Sequence, residues 1–242
     1  MKNIAVVNAS FFGDERNEMK VIDQPDCGVD YIMYTNKPEL TEGTIWEPIH
    51  IEIEDNMRMK AREIKSNIHN ILPDYEHWLW IDTCMKLNVN ANDLVSQYLG
   101  DRFDICVTPH PERFNIIQEG NELLFQQGKD GHTMSKQITP EMIQQRVNKY
   151  YNEGYVPTSL YATGCLLRRN TEKVRRFNEV WWNEIQGCVR DQMSFTYSAW
   201  KVGLPINSFP GSNFNSLLRQ QVKPYLPHWD EIDLVDLSIN SA

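Results

Sequence analysis

The stretch that decides the fold is WLWIDTC, residues 78–84. Its first four residues form a continuous apolar run, which is typical of a central β-strand covered on both faces. The run ends at Asp82, so that a carboxylate directly follows the strand. In open α/β sheets, ligands bind beyond the carboxyl ends of the strands. Asp82 therefore stands where a binding site is expected.

Further strands are predicted on both sides of this run. They are short segments that are either continuously apolar or alternate apolar with polar residues, as strands do. Gly164 lies inside the last of them, where a missing side chain marks close approach of a ligand or of another backbone. The segments comprise residues 3–8, 31–34, 46–53, 103–108 and 160–167.

Helices are predicted between and after these strands from apolar spacing and from their caps. Two of them have clear start signals, because Thr139 precedes a proline and Asn170 is a capping residue. Strands that alternate with helices indicate an α/β domain with a mostly parallel central sheet flanked by helices. The predicted helices run from 57 to 72, from 139 to 153, from the cap at Asn170 to Gly187, and from 190 to 200.

The helix predicted at 57–72 carries basic side chains on a face of its own, separate from its apolar face. Their spacing of four, three and four residues places these side chains on one face. One interpretation is a solvated face of the helix. The alternative is a positive surface turned toward a ligand, because the next strand delivers Asp82. This basic stripe consists of Arg58, Arg62, Lys65 and His69.

Composition narrows the possible classes of function. The chain has 242 residues and a formal net charge of -9, which works against broad nonspecific binding to nucleic acid. Its five cysteines form no C-x-x-C pair, so neither a disulfide framework nor a structural zinc site is suggested. No apolar run approaches the roughly 20 residues of a membrane span, and no signal peptide is recognisable. We expect one cytoplasmic domain over residues 1–242, with 236–242 as a loose tail.

Four short motifs occur in an order that resembles a known family. This is the glycosyltransferase-like family of the plant mucilage-related and turgor-regulation proteins, with a more distant similarity to family 8 glycosyltransferases. The resemblance covers about residues 31–204 and implies a single GT-A-like, Rossmann-related domain that transfers a hexose or pentose from a nucleotide sugar. The motifs are WLWIDTC (78–84), HPER (110–113), YATGCLLRRN (161–170) and RDQMSF (190–195).

The resemblance implies a donor site around Asp82, where GT-A enzymes hold Mn²⁺ or Mg²⁺ against the nucleotide diphosphate. Their metal motif is usually Asp-x-Asp, whereas the second position here is Cys84, a poor ligand for hard cations. His228 is the candidate second metal ligand. We expect a metal at Asp82 and the basic stripe to neutralise the departing diphosphate together, with Arg62 and Lys65 as the closer contacts. The predicted donor-binding residues are Asn8, Ser10, Arg58, Arg62, Lys65, Asp82, Thr83 and Gly164.

The segment Arg190, Asp191 and Gln192 matches a motif that faces the reacting sugar in related folds, and we predict that it is catalytic. Asp191 can act as a general base in an inverting reaction or stabilise the positive anomeric carbon in a retaining one. The structural alternative for Asp191 is a cap on the helix that follows.

The pair His110 and Arg113 follows a predicted strand, and two prolines fix its direction. We predict that the pair clamps the donor or the acceptor. The alternative for Arg113 is an ordinary surface ion pair with Glu112 or Glu119.

The sequence leaves the acceptor open. A glycan, a protein, a small molecule or a modified nucleic-acid base remain candidates, with nucleic acid not favoured because of the net acidity. Two other classes of function compete with the transferase. One is a non-catalytic module that binds carbohydrate or nucleotide. The other is a sugar-nucleotide nucleotidyltransferase, which would normally carry a glycine-rich basic loop after the first strand, and residues 8–14 lack one.

Overall fold

The computed structural model describes residues 2–12, 21–53, 56–126, 138–210 and 218–220; the tail at 236–242 lies outside them. The described strands are β1 (Lys2–Ser10), β2 (Asp30–Thr35), β3 (Glu47–His50), β4 (Tyr75–Ile81), β5 (Met85–Leu87), β6 (Ile105–Pro109), β7 (Tyr161–Arg169), β8 (Asn207–Ser208) and β9 (Leu218–Gln220). The described helices are α1 (Met57–Ser66), α2 (Ile68–Ile71), α3 (Ala91–Tyr98), α4 (Ile116–Gln126), α5 (Pro140–Asn152), α6 (Glu172–Ile185) and α7 (Gln192–Lys201).

Seven of these strands form one sheet in the order β3-β2-β1-β4-β7-β6-β8. Every neighbouring pair is parallel except the two that involve β7, which runs antiparallel to β4 and to β6. The predicted α/β class with a mostly parallel sheet is therefore confirmed. The strands β5 and β9 pair separately as a small antiparallel sheet.

The sheet is covered on both faces, as the apolar run of β4 requires. Trp78 and Trp80 face a cluster that includes Trp181 of α6, whereas Leu79 and Ile81 face a second cluster that includes α3 residues. These four β4 side chains are at most 2% exposed. Full burial of one large apolar side chain contributes about 1.5–3 kcal/mol, so β4 anchors the core from both sides.

Two helix boundaries differ from the expectations. The segment 57–72 is not one helix, because it breaks at Asn67 into α1 and α2. The cap of α6 is Thr171, whose side chain accepts a hydrogen bond from the backbone N–H of Val174. Asn170 instead donates its amide to the carbonyls of Pro73 and Tyr75.

An irregularity in β7 shapes the end of the sheet. Between Val107 and Thr108 of β6, the partner on β7 jumps from Leu166 to Ala162, so residues 163–165 bulge out of that pairing. A bulge re-aims side chains that a regular ladder would place elsewhere. The bulged residues stay attached to the end of β4 through a hydrogen bond from the Asp82 N–H to the Gly164 carbonyl, 2.8 Å.

Within the described residues, none of the helices combines the length and the apolar character that crossing a lipid bilayer requires.

Candidate active site

The candidate site lies at the sheet edge where the parallel strands β1, β4 and β6 end. Antiparallel β7 begins at the same edge, so its residues 163 and 164 reach it from the opposite direction. The helices α1 and α7 supply side chains from one face of the sheet. The predicted site residues come from these elements and from the loop after β6.

At the centre of the edge is a buried ion cluster around Asp191, which is 1% exposed. Its Oδ2 accepts hydrogen bonds from Lys65 Nζ at 2.8 Å and from Thr163 Oγ1 at 2.7 Å. Nη1 of Arg62 lies 3.4 Å from the same oxygen. The bulge in β7 delivers Thr163, which the sequence analysis did not single out.

The Asp191 side chain does not cap the helix that follows it. Asp191 is the residue at the start of α7, but its side chain makes no capping hydrogen bond. The carboxylate turns to Lys65 and Thr163 instead. Burial by itself would raise the pKa of Asp191, but Arg62 and Lys65 overcome that effect and hold the pKa well below its usual range. Asp191 is therefore an ionised carboxylate held among cations.

The basic stripe is not a solvated face, because Lys65 of α1 is completely buried and His69 of α2 is 4% exposed. Burial lowers the pKa of Lys65, and the nearby carboxylates of Asp191 and Asp82 oppose that shift. The Lys65 ammonium also lies 5.4 Å from the ring centroid of Trp80, within the range of a cation–π contact.

Asp82 lies above this cluster and is the more accessible carboxylate, with its side chain 37% exposed. Its Oδ1 accepts a hydrogen bond from Trp80 Nε1 at 2.7 Å and stands 3.8 Å from Lys65 Nζ. Gly164 leaves room for this arrangement. A Cβ at position 164 would lie 3.0 Å from Asp82 Oδ2 and 2.5 Å from the Met85 methyl group.

Replacing Gly164 by alanine is therefore expected to displace Asp82 and Met85. We expect donor affinity to fall at least about tenfold, together with an overpacking cost of about 1–3 kcal/mol in the free energy of unfolding. Donor titration and urea unfolding measure the two effects. Gly120→Ala is the control, because its Cβ would lie 2.7 Å from Ile143 Cγ2 and overpack a different cluster. Equal donor affinity in both variants would contradict the proposed role of position 164.

Three predicted donor residues meet at the junction of β1 and β4. Asn8 donates its amide to the Ile81 carbonyl at 2.7 Å, and its Oδ1 accepts from Ser10 Oγ at 2.5 Å. Ser10 Oγ also bonds to Thr83 Oγ1. Asn8 and Ser10 are 1% and 4% exposed. These side chains therefore hold the end of β4 in place through bonds to one another.

A second ion cluster lies beside the first, around Glu119 of α4. Glu119 is 1% exposed and accepts hydrogen bonds from Nε of Arg113 and Nε of Arg190, each at 2.6 Å. Both ion pairs that the sequence offered as the alternative for Arg113 are present, but only the pair with Glu112, at 3.2 Å, lies at the surface, since Glu119 is buried. Burial would raise the pKa of Glu119, but the two guanidinium groups lower it.

The His110 ring completes this cluster. Its Nδ1 accepts hydrogen bonds from the backbone N–H groups of Glu112 and Arg113, and its Nε2 lies 2.9 Å from Arg113 Nη2. Burial, together with the charge of Arg113, lowers the pKa of His110 to about 4. His110 is therefore a neutral group that fixes the loop after β6 at neutral pH.

Two buried polar atoms near Asp191 have no hydrogen-bond partner among the described residues. They are Nε of Arg62, a donor, and Oε1 of Gln192, an acceptor. Buried polar groups are normally paired, so an exception calls for an explanation. A bound donor could supply both partners, since a phosphate or sugar oxygen accepts from Arg62 and a sugar hydroxyl donates to Gln192.

The described residues do not fit a divalent metal on their own. Among them, no three His, Cys, Asp or Glu side chains are grouped so that they could hold an ion. Asp82 is the one carboxylate at the predicted position, and a lysine ammonium stands 3.8 Å from it. His228, the other predicted ligand, lies outside the described residues.

The chain is similar to known proteins in family, in sequence and in structure. The family model for the TOD1/MUCI70 glycosyltransferase-like domain matches residues 39–223. An Arabidopsis thaliana protein described as "Probable hexosyltransferase MUCI70" is 24% identical over 161 residues, which cover 62% of this chain and 26% of that protein. The match thus spans about a quarter of that relative's length. The solved apo structure of the bifunctional glycosyltransferase WbbM superposes with a TM-score of 0.47 at 12% identity, covering 86% of this chain and 39% of that one.

Proposed function

The chain belongs to the TOD1/MUCI70 glycosyltransferase-like family, and from this premise we propose that it transfers a sugar from a nucleotide-sugar donor to an acceptor hydroxyl. The family is the one that the four motifs resemble, so that prediction is confirmed. The observation that carries the proposal is the orientation of Asp191. Asp191 stands at the start of α7, but its side chain does not cap the helix. It accepts hydrogen bonds from Lys65 and Thr163 instead, and Lys65 Nζ lies 3.8 Å from Asp82.

The donor diphosphate is proposed to lie at the Asp82 edge of the sheet. Breaking the bond between the anomeric carbon and the phosphate oxygen leaves negative charge on the diphosphate. Arg62 on α1, whose Nη1 lies 3.4 Å from Asp191, supplies fixed positive charge on that side, and its unpartnered Nε is a donor suited to a phosphate oxygen. Arg58, one turn earlier in α1, is proposed to add to this charge. No step in this scheme passes through a metal.

Asp191 is proposed to act on the anomeric centre. A general base works best when its pKa lies near the operating pH, whereas the pKa of Asp191 lies far below it. This favours a carboxylate that stabilises the positive charge developing on the sugar over one that removes a proton. The proton of the acceptor hydroxyl would then pass to an oxygen of the departing diphosphate. Gln192, whose Oε1 is buried, is suited to hold a hydroxyl of the same sugar.

Release of nucleoside diphosphate from a panel of UDP-, GDP- and ADP-sugars, with water as the acceptor, tests the proposed function directly. We expect one donor to raise the melting temperature and to be hydrolysed slowly. Donor binding without release would indicate a non-catalytic module. Formation of a sugar nucleotide from a sugar phosphate and a nucleoside triphosphate would indicate a nucleotidyltransferase instead.

Metal removal is the second test. We expect the donor-induced rise in melting temperature to persist in EDTA, because the cations of α1 counter the diphosphate charge. Arg62→Gln is expected to reduce that rise about equally with Mn²⁺ and with EDTA. Loss of donor binding in EDTA, restored by Mn²⁺, would contradict this expectation. It would point to a site that Asp82 completes with a ligand outside the described residues, such as His228.

A further inference from the structure

Next to the Glu119 cluster stands a large aromatic side chain that the mechanism does not use. Phe114 directly follows Arg113, and it is 69% exposed. Ile117, three residues further along the chain, is also exposed, by 39%. Phe114 lies in the segment that joins β6 to α4, and Ile117 lies in the first turn of α4.

The backbone that carries Phe114 is fixed by hydrogen bonds. Asn115 Oδ1 accepts from the N–H groups of Ile117 and Gln118, at 3.1 and 3.0 Å. The Gln118 side chain reaches back and accepts from the Phe114 N–H at 2.7 Å. The arrangement resembles a capping box, except that Gln118 accepts from the N–H of Phe114, the residue just before the cap, rather than from that of the cap itself.

An apolar residue at that position usually packs against the fourth residue of the helix, which secures the entry of the chain. Here the fourth residue is Glu119, which is buried and bonded to Arg113 and Arg190. The usual apolar contact is therefore replaced by an ion cluster. The Phe114 ring is left facing outward on a rigid support, beside the site rather than in the core.

We propose that Phe114 is the platform on which a sugar ring of a glycan acceptor stacks during transfer; this rests on the proposed function. The apolar C–H face of a pyranose fits the face of an aromatic ring, and Phe114 needs only such a local contact. A protein acceptor would be expected to bury a surface of about 1,000 Å² or more, far larger than Phe114 and Ile117 provide. Arg113 bonds to Glu119, Glu112 and His110, so the platform does not depend on an anionic acceptor.

The test uses β-1,4-linked hexasaccharides of glucose, mannose and xylose, an oligogalacturonide, and a serine-rich peptide as the non-carbohydrate probe. Saturation-transfer NMR on the full chain, with the donor nucleotide present, measures their binding. We expect at least one oligosaccharide to bind and its dissociation constant to rise about tenfold in Phe114→Ala, with Phe114→Trp restoring affinity. Phe125→Ala is the matched control, because Phe125 is 66% exposed at the opposite end of α4.

Three results would contradict the proposal that Phe114 is an acceptor platform. They are binding of none of the oligosaccharides to the unmodified chain, equal binding to the Phe114→Ala and Phe125→Ala variants, or binding of the peptide alone. Donor hydrolysis with water as acceptor separates this inference from the proposed function. It should be unchanged in Phe114→Ala, and its absence from the unmodified chain would count against the transferase itself.

Discussion

The Asp191→Asn variant is expected to lose at least about a thousandfold in kcat for donor turnover, because the charge that faces the anomeric centre is removed. It is also expected to lose stability. Truncating one partner of a buried ion pair costs about 3–5 kcal/mol, since Lys65 and Arg62 lose their counter-charge. Release of nucleoside diphosphate and urea unfolding measure the two losses.

A double variant separates the two losses. Lys65→Met combined with Asp191→Asn removes both buried charges, so part of the lost free energy of unfolding should return while turnover does not. Asp93→Asn, an exposed acid in the first turn of α3, is the matched control and should change neither. If the double variant recovered turnover as well as free energy of unfolding, Asp191 would have only a structural role as the partner of Lys65.

The Glu119→Gln variant is expected to give the second large effect. Glutamine offers one acceptor oxygen where Glu119 offers two charged ones, so Arg113 and Arg190 can no longer both be held. We expect a loss of about 3 kcal/mol in the free energy of unfolding, since an uncompensated charge remains in a buried place. We also expect turnover to fall, because Arg190 directly precedes Asp191. Urea unfolding and donor turnover are the measurements.

Glu112→Gln is the control for that variant. Glu112 also pairs with Arg113, but its side chain is 72% exposed. Exposed ion pairs contribute little to stability, so this variant should resemble the unmodified chain. If the two glutamine variants behaved alike, the buried position of Glu119 would have no energetic importance.

The helices that the sequence predicts best are those whose caps and apolar spacing agree. Thr139 caps α5, and Val174 and Trp181 of α6 are fully buried, as their spacing indicates. The helix α4 gives no such signal, because Glu119 and Gly120 occupy positions of its buried face. Gly120 is needed there, since a Cβ would lie 2.7 Å from Ile143 Cγ2.

The candidate site is predictable from the sequence only in part, because some of its contacts are set by tertiary packing. Asp82 and Asp191 are visible in the sequence because each stands at the boundary of an element. The role of Thr163 depends on the bulge in β7. The bulge arises from how β7 pairs with β6, so the sequence of β7 alone does not show it. The break at Asn67 likewise leaves no trace in the apolar spacing, which continues across it. Contacts set by tertiary packing override such local patterns.

The backbone of Lys65 is also held in place, by the side chain of Arg168. The buried Arg168 donates from Nη2 to the Lys65 carbonyl at 2.8 Å and from Nη1 to Asn178 Oδ1 at 2.7 Å. The last turn of α1 is thereby fastened to β7 and α6. The ammonium is oriented when the chain folds, so little reorganisation should be needed as charge develops on a substrate. The free energy needed to orient the ammonium would then be supplied by folding, and the activation barrier of each turnover would not include it.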